Sequence, residues 1–232
     1  MTGVQTCALP IFYAPVDISG AHLRAAAAEL TRGFPALPIL PIEADFTRPF
    51  ALPAEVGRHP RLGFFPGSTI GNLVPGSAVD LLRSFRETLG TGALLLIGMD
   101  RVKAPERLVA AYDDAGGVTA AFNLNLLHRI NRELGGTVPV DAFKHEARWN
   151  GALSRIEMHL VARREVAFTV AGRAFSLAEG ASIHTENSHK YTAESGRLLL
   201  LAGGWTPLGE WTDPAGDFAL LLAAAEAERM AP

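Results

Sequence analysis

The chain has 232 residues, of which 48% are apolar and 19% charged, and its formal net charge at pH 7 is -3. This composition excludes an intrinsically disordered chain and allows a sizeable buried core. The weak negative charge argues against nucleic acid or an anionic membrane surface as the main partner, so a small molecule is the expected ligand.

The cysteine content and the apolar runs indicate the compartment. The single cysteine, Cys7, excludes an internal disulfide and a cysteine-rich zinc site, and it fits a reducing cytoplasm. No apolar run reaches the ~18 residues that a membrane-spanning helix needs. We therefore expect a cytoplasmic protein that binds no membrane, and the scattered histidines predict no metal site.

The first half of the chain has the pattern of strand–helix–strand units around a mostly parallel sheet. Residues 1–11 do not continue this pattern, and we interpret them as a scar of non-native sequence. The elements predicted after them are a strand over 12–19, a helix over 21–34, strands over 37–46 and 61–69, a helix over 78–90 and a strand over 92–100.

The second half changes character after residue 102. Helices are predicted within 105–134, with a break at Gly116 and Gly117. The elements predicted after them are antiparallel strands over 143–150, 154–163, 165–170 and 173–186, a helix over 188–201, and strands over 205–212 and 217–225. We interpret 103–187 as an inserted α+β substrate domain within a sheet domain made of 12–102 and 188–232.

Polar residues follow three successive predicted strands of the sheet domain. They are Asp17, Asp45 and Asn72. Ligands of open parallel sheets bind beyond the carboxyl ends of the strands, and a carboxylate there matches a vicinal diol such as ribose. A single aspartate at a strand end is usually only a turn or helix cap, but three in succession favour a nucleotide pocket.

The stretch GFFPGSTIGNL, residues 63–73, has two interpretations. Its proline, glycines and hydroxyl residues are typical of a surface turn after a strand. The same residues can also form a loop that holds a polar ligand, and Asn72 would then belong to the binding site.

Five ordered motifs resemble a known family. YAPVDIS, EADF, FFPGSTIGNL, AAYDDAGGVTAAFNLNLL and IHTENSHKYT are similar to motifs of the S-adenosylmethionine-dependent histidine Nα-methyltransferases of ergothioneine biosynthesis. The resemblance implies an α/β fold, a Rossmann-like class I methyltransferase sheet interrupted by a substrate domain. It also implies S-adenosylmethionine as cofactor, L-histidine as substrate and trimethylhistidine as product. We expect the protein to be a monomer.

The resemblance implies a cofactor site at the strand ends. Asp17 would bind the ribose, and Asp45 with Phe46 would bind the adenine end. Gly67 and Ser68, in the loop after the third strand, are also assigned to the cofactor. No residue is assigned a catalytic role, because the sulfonium is already activated and the protein has mainly to align the amine with the methyl group.

The resemblance assigns Asn72 and Tyr112 to the carboxylate and amine end of histidine. Both can donate hydrogen bonds as neutral groups, which suits a carboxylate. The alternative interpretation of Tyr112 is a helix tyrosine without a functional role, whose hydroxyl group lies at the surface.

The resemblance assigns the imidazole ring to Glu186 and Ser188, with Asn187 supplying backbone and Met158 beside the ring. A carboxylate gives an imidazole N–H a charge-assisted acceptor, and the hydroxyl adds a second contact. Without the resemblance, Glu186 and Ser188 would be interpreted as a solvated strand end and Met158 as a core residue.

One part of the family pattern has no counterpart. The capping region, and the first strand with its glycine-rich turn, are not recognisable before Phe12. We therefore expect an N-terminally truncated sheet domain that alone shows little or no methylation of histidine. Two other classes stay open: a dinucleotide-dependent oxidoreductase, in which Asp17 holds the ribose of a nicotinamide cofactor, and a non-catalytic amino-acid-binding protein.

Overall fold

We analysed a computed structural model, which describes residues 12–57 and 59–226. The interpretation of residues 1–11 as a scar lies outside the described residues. The five helices in this part of the chain are α1 (Gly20–Gly33), α2 (Pro75–Leu89), α3 (Pro105–Tyr112), α4 (Val118–Leu134) and α5 (Ala193–Ala202). None of them is long and apolar enough to cross a membrane.

The strands fall into two larger and two smaller sheets. In chain order they are β1 (Val16–Asp17), β2 (Ile42–Glu43), β3 (Leu62–Phe65), β4 (Leu94–Asp100), β5 (Phe143–Asn150), β6 (Arg155–Ala162), β7 (Val166–Val170), β8 (Arg173–Leu177), β9 (Ser182–His189), β10 (Thr206–Thr212) and β11 (Phe218–Ala224).

A four-stranded sheet of order β10-β11-β4-β3 forms the centre of the first unit. β3 and β4 are parallel, whereas β11 runs antiparallel to β4 and β10 antiparallel to β11. Leu95, Ile97 and Met99 of β4 are buried, together with Leu82 of α2 and Leu200 of α5. Apolar side chains along a central strand are expected where helices cover the sheet.

The first two strands are much shorter than predicted. β1 and β2 pair in parallel over two residues each and form a separate two-stranded sheet. Around them the chain passes through Pro15, Pro38 and Pro41, which lack the N–H donor that a longer ladder would need. α1 connects the two strands and buries Leu23 and Ala27.

The second unit is a three-stranded antiparallel sheet of order β5-β6-β9, with a β7-β8 hairpin beside it. One face of the three-stranded sheet packs against α4 through a core that includes Leu127, Phe143 and Leu160. The same face packs against α3 through Leu108 and Ile156.

Two predicted elements near the C-terminus were wrong. The predicted strand over 173–186 is two strands, because the chain turns at Gly180, whose φ is +77°. The helix predicted over 188–201 starts five residues further along the chain, at Ala193 of α5, because β9 continues through His189. Thr192 caps the helix, since its side chain accepts a hydrogen bond from the Ser195 N–H at 3.0 Å.

The chain crosses between the two units along paired backbone segments. The N–H of Tyr191 donates to the Asp100 carbonyl at 2.9 Å, and the N–H of Val102 donates to the Tyr191 carbonyl at 3.2 Å. The segment that leaves the central sheet and the segment that returns to it therefore run side by side, which fixes the end of β9 against the end of β4.

Gly98 of β4 allows the loop after β3 to lie directly on the strand, and this contact gives a prediction. A Cβ at Gly98 would lie 1.8 Å from the Pro66 carbonyl oxygen. We expect Gly98→Ala to lower the free energy of unfolding by about 3 kcal/mol, the scale of overpacking against backbone. Gly76→Ala in α2 is the matched control, because no described atom outside its chain neighbours and its own helix backbone lies within 4 Å of the added Cβ. Urea denaturation giving equal stability for the two variants would contradict the prediction.

Candidate functional site

The loop after β3 is attached to the end of β4. Ser68 has a left-handed backbone, with φ of 55°, and its hydroxyl oxygen accepts a hydrogen bond from the Asp100 N–H at 2.9 Å. Gly67 precedes it at an exposed position. The loop therefore lies over the carboxyl end of the sheet, where ligands of such folds bind.

The 3-10 helix Thr69–Asn72 follows this loop and packs against the end of β9. A Cβ at Gly71 would lie 2.7 Å from the His189 carbonyl oxygen, so only glycine allows this approach. The Tyr191 hydroxyl donates to the Ile70 carbonyl at 3.4 Å, and burial raises the pKa of Tyr191 to about 12. Asn72 is consequently held at an exposed position beside the junction of the two units.

Four of the residues predicted for substrate meet on one face of the three-stranded sheet. Met158 lies opposite Glu186 in the ladder between β6 and β9, and Ile156 lies opposite Ser188. Tyr112, the last residue of α3, covers this face and places its hydroxyl 2.7 Å from the Ser188 hydroxyl. Met158 and Ser188 are buried, and Tyr112 and Glu186 are partly buried.

The carboxyl group of Glu186 lies among these residues without a partner. Within the described part of the chain no side chain forms a hydrogen bond or an ion pair with it, and burial raises its pKa above the ordinary value. A partly buried carboxylate that lacks a protein donor is suited to accept a hydrogen bond from a ligand.

Asn187 points the other way. It lies opposite Glu157 in the β6-β9 ladder, on the face that α3 and α4 do not cover, and its buried side-chain oxygen has no hydrogen-bond partner among residues 12–57 and 59–226. The backbone role predicted for Asn187, between Glu186 and Ser188, stays a prediction.

The face of the three-stranded sheet opposite α3 and α4 also holds a group that could be mistaken for a metal site. Glu157, His159 and His184 bring their ligand atoms within 4.8 Å of one another. The Glu157 carboxylate, however, already accepts hydrogen bonds from Arg155 at 2.8 Å and Asn150 at 3.0 Å. Burial opposes its ionisation, yet the Arg155 and Asn150 hydrogen bonds outweigh burial and lower the pKa of Glu157 to about 2. We interpret the group as a structural ion-pair network.

The residues predicted for the cofactor lie at the ends of β1, β2 and β3. Asp17 ends β1, and one of its carboxylate oxygens accepts a hydrogen bond from the Ser19 N–H at 2.7 Å, just before α1. Asp45 accepts hydrogen bonds from the Thr47 hydroxyl at 2.6 Å and the Thr47 N–H at 3.0 Å, and these lower its pKa. Both carboxylates thus also stabilise local turns.

Phe46 is part of an aromatic cluster. Its ring lies edge-on to Phe65, with centroids 5.8 Å apart, and tilted to Phe85 at 6.5 Å. It packs against the core of the first unit while remaining partly exposed. The structure thus gives Phe46 a packing role in addition to the predicted contact with adenine.

Lys190 and Asp100 were not predicted. The Lys190 ammonium donates to the Asp100 carboxylate at 2.7 Å, to the Tyr112 hydroxyl at 2.7 Å and to the Ser188 hydroxyl at 2.8 Å. We call these four residues the lysine cluster. Asp100 could have been found from the sequence, because it ends a predicted strand as Asp17 does, whereas nothing in the sequence marks Lys190 as buried.

Comparison with known proteins gives a family and a fold. Residues 3–225 match the profile of a family described as histidine-specific, S-adenosylmethionine-dependent methyltransferases. The chain is 43% identical over 213 residues to histidine N-alpha-methyltransferase of Mycolicibacterium smegmatis, covering 91% of this chain and 66% of that protein. It is 29% identical over 150 residues to ergothioneine biosynthesis protein 1 of Neurospora crassa, covering 63% of this chain and 17% of that protein.

A solved structure extends the comparison to the fold. The CcbJ methyltransferase from Streptomyces caelestis superposes with a TM-score of 0.51 at 12% identity, over 92% of this chain and 79% of that one. At this identity the likeness shows the fold alone. It confirms the predicted α/β, Rossmann-like methyltransferase sheet.

The unpartnered Glu186 gives a prediction about stability. Burial raises the pKa of Glu186 in the folded chain. At neutral pH the carboxylate is therefore less favourable in the folded than in the unfolded chain, which lowers the free energy of unfolding. We expect Glu186→Gln to raise the Tm at pH 7 by about 1–3 °C, the shift expected from less than ~1 kcal/mol in a chain of this size. The gain should shrink as the pH falls toward 4, where the native carboxyl group is also neutral.

Glu146→Gln is the matched control for this prediction. Glu146 lies on β5 of the same sheet, and the hydrogen bond from Arg148 lowers its pKa. That substitution should therefore lower the Tm at pH 7, with the loss fading in acid, and thermal unfolding followed by circular dichroism measures both. A Glu186→Gln variant less stable than the native protein at pH 7 would contradict the interpretation of Glu186.

Proposed function

Because the chain belongs to the family of histidine-specific, S-adenosylmethionine-dependent methyltransferases, we propose that it methylates the α-amino group of L-histidine. Repeated transfer gives trimethylhistidine, and we place the reaction in ergothioneine biosynthesis. The observation that carries the proposal is the partly buried, unpartnered Glu186 carboxyl group beside the Tyr112 and Ser188 hydroxyls, a set that fits an imidazole ring.

The substrate would lie across the face of the three-stranded sheet. An imidazole N–H would donate to Glu186, the other ring nitrogen would contact Ser188, and the Met158 side chain would pack against the ring. The carboxylate would accept hydrogen bonds from Tyr112 and Asn72, since both residues can donate as neutral groups. This arrangement directs the α-amino group toward the end of the central sheet.

The cofactor would lie at the ends of the strands. Asp17 fits a ribose, because its carboxylate ends β1 and the Ser19 N–H bonds only one of its oxygens. Asp45 and Phe46 would contact the adenine, and Gly67 with Ser68 would form the loop over it. Bound S-adenosylmethionine would supply a methyl group already activated on a sulfonium. The residues of this chain hold the amine in line and exclude water.

Two other functions were considered. A nicotinamide-dependent oxidoreductase would also use Asp17 for ribose, but family membership argues against it. A non-catalytic amino-acid-binding protein keeps the pocket without the reaction. Incubation of the full-length protein with histidine and S-adenosylmethionine, with mass spectrometry of the product, tests the proposal: methylated histidine is expected, and histidine binding without any methylation would favour the binding protein.

Asn72 gives a prediction about binding. Asn72→Ala should weaken histidine binding by roughly 1–3 kcal/mol, because the ligand carboxylate would lose a hydrogen-bond donor. Isothermal titration calorimetry on the full-length protein measures the change. Asn125→Ala, an exposed asparagine on α4, is the control and should leave the affinity unchanged. Equal affinities of the two variants would remove Asn72 from the site.

Glu186 gives a prediction about specificity. A site built to pair a polar ring leaves its own polar groups unpaired when an apolar side chain enters, so leucine and phenylalanine should not be methylated. Glu186→Ala should lower kcat/KM for histidine at least about tenfold, the loss of one charge-assisted hydrogen bond. A variant that retains the native preference for histidine would show that another residue selects the ring.

A further inference from the structure

Lys190 is a buried cation at the junction of the two units. Its side chain is fully inaccessible to solvent, and its ring contact with Tyr112 places the ammonium 4.4 Å from the centroid of the ring. An ammonium has three N–H donors, and the hydrogen bonds to Asp100, Tyr112 and Ser188 occupy all three. Lys190 therefore has no donor left for a ligand, and its effect on a ligand has to pass through the two hydroxyl groups.

The hydroxyl groups of Tyr112 and Ser188 are coupled by this arrangement. Both oxygens accept from Lys190, and they also lie 2.7 Å from each other, so one hydroxyl donates to the other. When Tyr112 donates to Ser188, only Ser188 has a proton for a ligand. When Ser188 donates to Tyr112, only Tyr112 has one, and Ser188 can then only accept from a ligand. At any time, therefore, only one of the two hydroxyl groups can donate a hydrogen bond to a ligand.

We propose that Lys190 is a positioning residue that couples recognition of the substrate carboxylate to recognition of the imidazole ring. The inference rests on the proposed function. A carboxylate that accepts from Tyr112 fixes the Ser188 proton between the two hydroxyls, so Ser188 becomes an acceptor for an imidazole N–H. Ser188 and the Glu186 carboxylate then each accept one ring N–H, so the arrangement binds the doubly protonated, imidazolium form of the ring. The ammonium holds both hydroxyl oxygens against one donor and so keeps them in contact. Without it the two hydroxyls can separate, and the two ends of the substrate are recognised independently.

This coupling selects for a ligand that carries both a carboxylate and an imidazole ring. Histamine has the imidazole ring of histidine but lacks the carboxylate, so it leaves the direction of the hydroxyl pair undetermined. The coupled pair should therefore favour histidine over histamine by more than the contribution of the direct carboxylate contacts alone.

Asp100 holds the ammonium and supplies a matched control. Its carboxylate bonds Lys103 at 2.7 Å through one oxygen and Lys190 at 2.7 Å through the other. Burial opposes its ionisation, but the hydrogen bonds from Lys103 and Lys190 outweigh burial and lower the pKa of Asp100. Lys103 thus pairs with the same carboxylate as Lys190 but contacts neither hydroxyl group.

The experiment compares Lys190→Met with Lys103→Met in the full-length protein. Calorimetry gives the affinities for histidine and for histamine in the presence of S-adenosylhomocysteine. Lys190→Met should weaken histidine binding at least about tenfold while changing histamine binding less than about threefold, because only the coupled contact is lost. Lys103→Met should leave both affinities unchanged.

Two results would overturn the assignment of Lys190. One is an unchanged histidine affinity in a folded Lys190→Met variant. The other is an equal loss for histidine and histamine, which indicates general support of the pocket. Failure of the native protein to bind or methylate histidine would instead overturn the proposed function, and the coupling with it.

Further variants keep the proposal testable if Lys190→Met does not fold. If Lys190→Met does not fold, Lys190→Gln removes the charge with a smaller change in polarity and should show the same selective loss. In a protein that already carries Tyr112→Phe and Ser188→Ala, the Lys190 substitution should cause no further loss of histidine affinity, because its path to the ligand is gone. A further tenfold loss in that background would show that Lys190 acts by another route.

Discussion

The hydrogen bonds of the buried Lys190 ammonium connect the first unit with the second at the candidate site. Asp100, at the end of β4, accepts one of them, and its backbone N–H in turn holds Ser68 of the loop assigned to the cofactor. The other two hydrogen bonds reach Tyr112 and Ser188 of the second unit. A buried charge is tolerated only when all its hydrogen bonds are satisfied, so these residues are held in one arrangement.

This constraint explains why the two units meet as they do. Methyl transfer requires an amine and a methyl donor to be aligned, yet the proposed substrate residues lie on the three-stranded sheet and the proposed cofactor residues on the strands of the first unit. The paired backbone at Tyr191 and the close approach of Gly71 to His189 fix the relative position of the two surfaces. Small shifts at this junction would reach the site, since the backbone contacts leave no space to absorb them.

Much of the fold could be predicted from local pattern. The apolar run of β4, the helical periodicity of α2 and the alternating strands β5 and β6 all lie where the sequence predicts them, because each forms by its own hydrogen bonds and burial.

The C-terminal end of β9 could not be predicted. Ser188, His189 and Lys190 are polar residues before a helix cap. They are buried because Tyr112, the 3-10 helix after β3 and the end of β4 pack against them. In the site, motif resemblance identified Tyr112 and Ser188, but their contact and its link to Lys190 depend on tertiary packing.

The most direct test is a crystal structure of the full-length protein with L-histidine and S-adenosylhomocysteine. The account predicts the histidine carboxylate within hydrogen-bond distance of the Tyr112 hydroxyl, the imidazole ring between Ser188 and Glu186, and Lys190 still bound to Asp100 and both hydroxyls without touching the ligand. Histidine bound away from the three-stranded sheet, or Lys190 bonded directly to its carboxylate, would contradict it.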